Sequence, residues 1–258
     1  MTYICKNVRI CGHFTVNDMN IAVIFAGGSG QRMNAGSCPK QFLKLNGKPI
    51  IIYTLEIFSE HREIDKIVVS CIGSRIPELE KLIKKYEIDK VAEIVPGGET
   101  GQDSICNGLA AAARIGTPDS TVLIHDGVRP LVEADVISEC IASVKEYGSA
   151  ITSVPSSETF IIRHEDGTLD VPPRKDSWIV RAPQCFRLGD ILAAHERAKK
   201  ENRHDFIDSC SMMTEYGHSL HLVKGSASNI KITTPADFYI FKTMQEIRDN
   251  YQIFGFEV

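Results

Sequence analysis

The stretch from Ile21 to Phe42, IAVIFAGGSGQRMNAGSCPKQF, carries the residue types that can do chemistry on an anion. Ile21 to Ala26 is an unbroken apolar run, which reads as a buried strand, and the chain then breaks into Gly27-Gly28-Ser29-Gly30. Glycine there frees the backbone and lets it approach a ligand closely. Successive backbone N–H groups in such a turn form an anion-binding nest. Arg32 and Lys40 follow the last glycine, so fixed positive charges flank that nest. We read Ala26 to Gly30, with Arg32 and Lys40, as a site for a nucleotide polyphosphate. Two rival readings fail. A dinucleotide fingerprint needs a third glycine where Met33 stands, and an acid after the next strand, which ends instead on Gly73. The G-x-x-x-x-G-K-[ST] pattern of a P-loop is absent.

Such a turn must be held by regular elements, and the pattern supplies them in alternation. Ile50 to Phe58 predicts a helix, Ile67 to Ile72 a strand, Glu78 to Tyr86 a helix and Val91 to Val95 a strand. A second glycine turn, Gly97 to Gly101, leads into a helix from Asp103 to Arg114. Thr121 to His125 predicts a buried strand, Glu133 to Tyr147 a helix and Ala150 to Val154 a further strand. This order implies an α/β protein with a mostly parallel sheet covered by helices on both faces. Both glycine turns and His125-Asp126 follow strands, so all three can meet at the carboxyl edge, where such sheets bind ligands. Residues 155–178 break the alternation. Two short strands around Glu165-Asp166-Gly167 predict a protruding β-arm too small to bury its own core. Helices at Leu188 to Asn202 and Asp208 to Tyr216 follow, then a strand at Leu220 to Val223. Thr234 caps a last helix, on which Phe238, Phe241, Met244 and Ile247 predict a core stripe.

The composition of the 258 residues, 43% hydrophobic and 24% charged, is that of a soluble globular protein. A formal net charge of −4 argues against nucleic acid or an anionic membrane as partner, and no apolar run has the length of a span. The eight cysteines form no C-x-x-C pair, which suits reduced thiols in the cytoplasm. His218 and His221 lie on an alternating pattern that turns them to opposite faces, against a zinc site. We expect residues 1–19 to be an N-terminal extension, or else the product of a start upstream of Met19, and residues 20–258 a single domain.

Ala26 to Met33 followed by Pro39-Lys40-Gln41-Phe42 resembles the signature of the CTP-dependent cytidylyltransferases that activate sugar-alcohol phosphates. His125 to Pro130, Ala182-Pro183-Gln184 and Asn229 to Thr233 continue the resemblance in order. It implies a Rossmann-like nucleotidyltransferase fold, CTP and a polyol phosphate as substrates, and a homodimer in which the arm reaches across to the second subunit. It further implies that Gly98 and Ser104 contact cytosine and ribose. Arg129, Thr159 and Arg174 would then hold the acceptor phosphate, the latter two from the partner's arm.

Attack of one phosphate on another asks for positioning and charge neutralisation rather than a covalent nucleophile. Arg32, Lys40 and Lys231 are the candidate catalytic cations. Asp126, just after a buried strand, is the candidate Mg²⁺ ligand, because a lone carboxylate among phosphates suits that ion. Gly101 and Ala182 stand where many members of the resembling family carry arginine and threonine. Gly27-Gly28 and the Pro39-to-Leu43 wording lean toward ribitol 5-phosphate as acceptor, with 2-C-methyl-D-erythritol 4-phosphate as the alternative. A hexose-phosphate nucleotidyltransferase would share the glycine turn but not His125 to Pro130 or the arm. A nucleotide-binding module without turnover is the non-enzymatic alternative.

Overall fold

A computed structural model describes residues 18–28 and 38–254, with side chains to residue 250. The chain opens with β1 (Asn20–Ala26), a small hairpin of β2 (Lys44–Leu45) and β3 (Lys48–Pro49), and α1 (Ile50–Glu60). Then come β4 (Lys66–Cys71), α2 (Ile76–Lys85), β5 (Val91–Pro96), α3 (Gly101–Ile115), β6 (Thr121–Asp126), α4 (Ala134–Tyr147) and β7 (Ser149–Pro155). The arm carries β8 (Ile162–Arg163) and β9 (Leu169–Asp170). Finally there are β10 (Trp178–Arg187), α5 (Leu188–Lys200), α6 (Ser209–Glu215), β11 (Leu222–Lys224) and α7 (Pro235–Phe254).

The central sheet runs β11-β7-β10-β6-β1-β4-β5. Its strands pair in parallel except at β10, which is antiparallel to both β6 and β7. Helices on both faces explain why β1 is apolar from Ile21 to Ala26 rather than alternating. Ala22, Ile24 and Ala26 face a core shared with Leu55 and Phe58 of α1, Leu79 of α2 and Ile137 of α4. Ile21 and Val23 face the opposite core, with Leu109 of α3, Ile191 of α5 and Met212 of α6. A third, smaller cluster joins Leu45, Ile50, Val128, Leu131, Ile232 and Phe241. It ties the irregular segment before α7 to the loop after β6.

The alternation predicted from residue 21 to residue 154 is present element by element. The strand β10 was not predicted. Pro183 within the run WIVRAPQCFR argues against a central strand, because proline cannot donate to a ladder. The structure meets that objection with a register shift between Val180 and Gln184, so Arg181, Ala182 and Pro183 sit in an irregularity of the strand rather than its regular ladder. The Ala182–Pro183 peptide is cis. No strand runs through Lys231; its segment reaches the sheet edge as irregular chain. The stripe expected on α7 is realised fully only at Phe241, with Phe238 and Met244 half-buried and Ile247 exposed. Thr234 caps that helix as predicted, with Asp237 N–H donating to its Oγ1 at 3.3 Å.

Candidate active site

The parallel strands β1, β5 and β6 bring their carboxyl ends to one edge, and the two glycine turns pack against each other there. Ser104, in the first turn of α3, is the spacer. Its Oγ accepts the Gly98 N–H at 3.1 Å and donates to the Thr100 carbonyl at 3.0 Å. A Cβ on Gly27 would stand 2.4 Å from that Oγ, and one on Gly98 would stand 2.1 Å from Asp103 Cβ. Glycine at these positions is demanded by packing. Thr100 and Asp103 form a reciprocal capping box that starts α3 and fixes the second turn. From the other side Gln41, buried, donates from Nε2 to the carbonyls of Ala26 at 2.6 Å and Gly28 at 3.3 Å. The first turn is thus held through its carbonyls, leaving N–H groups for a ligand. Ser29, Gly30 and Arg32 lie outside the described residues.

Beside the turns stands a buried charge cluster on Asp126, at the end of β6. Lys231 Nζ lies 2.6 Å from Asp126 Oδ1, and Arg129 Nε donates to Oδ2 at 2.8 Å. Arg129 also donates from its NH1 to the Asn229 carbonyl at 2.9 Å, linking the loop after β6 to the segment that carries Lys231. Burial alone would raise the Asp126 pKa, but the Lys231 and Arg129 charges and their hydrogen bonds outweigh it and hold it at about 2. The carboxylate is therefore ionised at any physiological pH. His125, one residue earlier, is fully buried, and that burial pushes its pKa down to about 4. It donates from Nε2 to the Arg129 carbonyl at 3.1 Å and serves as a neutral prop for the loop.

These residues surround two adjoining cavities. The first, about 350 Å³, is lined by both glycine turns, Lys40, Gln41, Ser104, Asp126 and Lys231. The second, about 260 Å³, shares Phe25, Gly101, Asp126 and Lys231 with it and continues toward Arg129, Arg181 and Gln184. Of the predicted residues, Ala26, Gly27, Gly28, Lys40, Gly98, Ser104, Asp126 and Lys231 therefore meet around one cavity, and Arg129 joins at the second. Thr159 and Arg174 line neither. They sit on the exposed arm, where Arg174 donates to Thr159 Oγ1 at 3.1 Å. Gln41 escaped assignment although it lies inside the quoted Pro39-Lys40-Gln41-Phe42 motif. A polar residue next to a core phenylalanine was the available signal. Arg181 gave no such signal, since its strand was not predicted.

Glycine turns at the carboxyl edge of a parallel sheet, facing lysines and a caged carboxylate, define a nucleotide-binding transferase of the nucleotidyltransferase type. The chain belongs to the cytidylyltransferase family described as IspD, 2-C-methyl-D-erythritol 4-phosphate cytidylyltransferase, whose model matches residues 20–245. It is 50% identical to the ribitol-5-phosphate cytidylyltransferase of Vibrio parahaemolyticus over 92% of this chain and 100% of that protein. Identity to the 2-C-methyl-D-erythritol 4-phosphate cytidylyltransferase of Clostridium botulinum is 43%, over 88% of this chain and 97% of the relative. Among solved structures, the 4-diphosphocytidyl-2C-methyl-D-erythritol synthase of Anaerococcus prevotii matches with a TM-score of 0.76. That match has 26% identity and covers 89% of this chain and 96% of the other. The chain is accordingly a CTP-dependent nucleotidyltransferase.

Proposed function

We propose that the enzyme transfers CMP from CTP to D-ribitol 5-phosphate, forming CDP-ribitol and pyrophosphate. The observation that carries this reading is the Lys231–Asp126–Arg129 cluster at the junction of the two cavities, one walled by both glycine turns and one touched only by Gly101 at the end of the second turn. The first suits the nucleotide and the second the acceptor. Higher identity to the ribitol enzyme than to the methylerythritol enzyme favours ribitol 5-phosphate.

In this reading an acceptor phosphate oxygen forms a bond to the α-phosphorus of CTP. The bond from that phosphorus to the bridging oxygen breaks, and its electron pair leaves with pyrophosphate. The acceptor phosphate is already ionised, so the side chains need only align two anions and neutralise the charge that spreads over the phosphate oxygens. Lys40 and Lys231, which both line the first cavity, take that role, with Arg32 as a third cation. Gly98 and Ser104 position the nucleoside, and the Gly27 and Gly28 turn receives the phosphates on its backbone.

Asp126 would hold Mg²⁺. Each Asp126 oxygen already takes one cation, Oδ1 from Lys231 and Oδ2 from Arg129, and keeps a further lone pair for the ion, which is commonly bound by one or two carboxylates together with substrate phosphates. No cluster of three or more acidic, histidine or cysteine ligands exists among the described residues to hold the ion without substrate. When bound, the ion supplies further neutralisation of the triphosphate.

The protein acts as a homodimer in this proposal, with Thr159 and Arg174 of each arm completing the acceptor site of the partner subunit. Exposure of Ile161, Leu169 and Val171 on the arm supports such a contact. A cytoplasmic location accords with the free state of all six described cysteines. No helix among the described residues is long and apolar enough to cross a membrane.

Pyrophosphate release measured with each nucleoside triphosphate against a panel of acceptor phosphates tests the assignment. Turnover with CTP and ribitol 5-phosphate is expected. Turnover with UTP or GTP but not CTP would contradict it, and preference for 2-C-methyl-D-erythritol 4-phosphate would move the enzyme to the alternative acceptor.

A further inference from the structure

Three residues that line the second cavity carry buried polar atoms that the fold leaves without partners. Arg181 Nε, Gln102 Oε1 and Ser209 Oγ are buried and unbonded within the protein, and all three residues line this cavity. They come from three separate elements, β10, α3 and α6, so their convergence is a property of the tertiary fold. Buried polar groups are ordinarily satisfied, and each one left open costs stability. Arg181 is the most expensive of them. It is half-buried, forms no hydrogen bond or ion pair among the described residues, and has Arg129 for a neighbour, so burial and like charge both lower its pKa. The register shift in β10 falls at this residue, and such irregularities re-aim side chains next to active sites. Arg129, the other arginine here, gives its Nε to Asp126 and one NH1 hydrogen to the Asn229 carbonyl, which fixes its orientation and leaves its remaining N–H groups for the acceptor phosphate.

We propose that Arg181, with Gln102 and Ser209, is a specificity-determining set that reads the hydroxyl groups of the acceptor at the end remote from its phosphate. The proposal rests on the polyol-phosphate reading above. The acceptor phosphate has to lie near Lys231 and Asp126, where the cavities join, to face the α-phosphorus. Its carbon chain then runs into the second cavity. Guanidinium N–H groups donate to hydroxyl oxygens there, the Gln102 carbonyl oxygen accepts a hydroxyl proton, and Ser209 can do either. A site built to bond hydroxyls rejects a molecule that lacks one, because its own buried groups are then left open.

The test is a cycle of substrate and enzyme changes, using ribitol 5-phosphate and 1-deoxyribitol 5-phosphate with wild type and Arg181→Met. The wild type should prefer the full polyol by about 10–100-fold in kcat/KM, the scale of a hydrogen bond to a charged group. Arg181→Met should bring the two within about 3-fold by losing rate only with ribitol 5-phosphate, with KM for CTP unchanged. Its Tm should hold or rise, since an unpaired cation is removed. Arg181→Lys should restore part of the preference. Equal loss with both acceptors, an unchanged preference, or a lowered Tm would overturn the inference, placing Arg181 on the phosphate, outside recognition or in the fold. If wild type uses CTP with 2-C-methyl-D-erythritol 4-phosphate instead, the ribitol assignment fails. The same cycle run on that acceptor and its deoxy analogue then decides the role of Arg181. Absence of turnover with every hydroxylated phosphate overturns both.

Discussion

The carboxyl edge of the sheet and the arm are built by opposite means. At the edge, Gly27 packs on Ser104, Gln41 pins the turn and Asp126 clamps two cations. In the arm, β8 and β9 are two residues each, and Ile161 and Leu169 are both 64% exposed. A hairpin of that size cannot stabilise itself in water. The edge is preorganised by its own core, whereas the arm displays apolar surface with no core beneath it. The proposed homodimer, in which a second chain's arm completes the acceptor half, accounts for that difference.

Removing a cation from the rigid half should cost the most activity. Lys40→Ala should lower kcat by about 10²–10³, the scale for losing one preorganised electrostatic stabiliser. A raised KM for CTP with kcat unchanged would make Lys40 a binding residue only. Asp126→Asn should abolish the dependence of rate on Mg²⁺ and also destabilise the fold by about 3 kcal/mol, since Arg129 and Lys231 lose a buried counter-charge. Urea unfolding with and without the substitution checks the second part. Gly27→Ala should cost about 1–3 kcal/mol through its clash with Ser104 and raise KM for CTP.

Acid provides a graded break of the same half. The folded pKa values of His125 and His195 are lowered to about 4, in each case by burial, so these residues stay neutral while the unfolded chain takes up protons. Stability should fall as pH drops from about 6.5 to 4, by up to about 1.4 kcal/mol per unit for each histidine. The lowered Asp126 pKa adds a second window: its stabilisation is present above about pH 4 and is lost as pH falls toward 2. Asp126→Asn should flatten the lower window and leave the upper one. The smallest effect on the fold belongs to the arm. Ile161→Glu should change subunit stability by under about 0.5 kcal/mol, yet shift the oligomer toward monomer in light scattering.

The rigid half was legible in the sequence because its devices are local. A strand, a glycine turn and the helix after it are contiguous, and the cap at Thr234 lies within three residues of its partner. Lys231 was recognised as a cation, but its 2.6 Å approach to Asp126 depends on the third core cluster, whose members are scattered from Leu45 to Phe241. Arg181 was invisible for a related reason. Pro183 disguises a central strand, and only the register of β10 against β6 and β7 reveals the irregularity that carries the residue. Long-range pairing decides such positions, and a single sequence does not display it.

Mixing two inactive variants decides whether one chain supplies the nucleotide half and its partner the arm. Lys40→Ala and Arg174→Ala homodimers should each be nearly inactive. Coexpression, or mild unfolding and refolding, then lets the subunits exchange. With random reassortment about half the dimers are mixed, and each mixed dimer holds one site with both lesions and one with neither. Activity should recover to roughly a quarter of the wild-type value. If Arg174 serves its own subunit, every site keeps one lesion, and an absence of recovery after verified exchange would contradict the account.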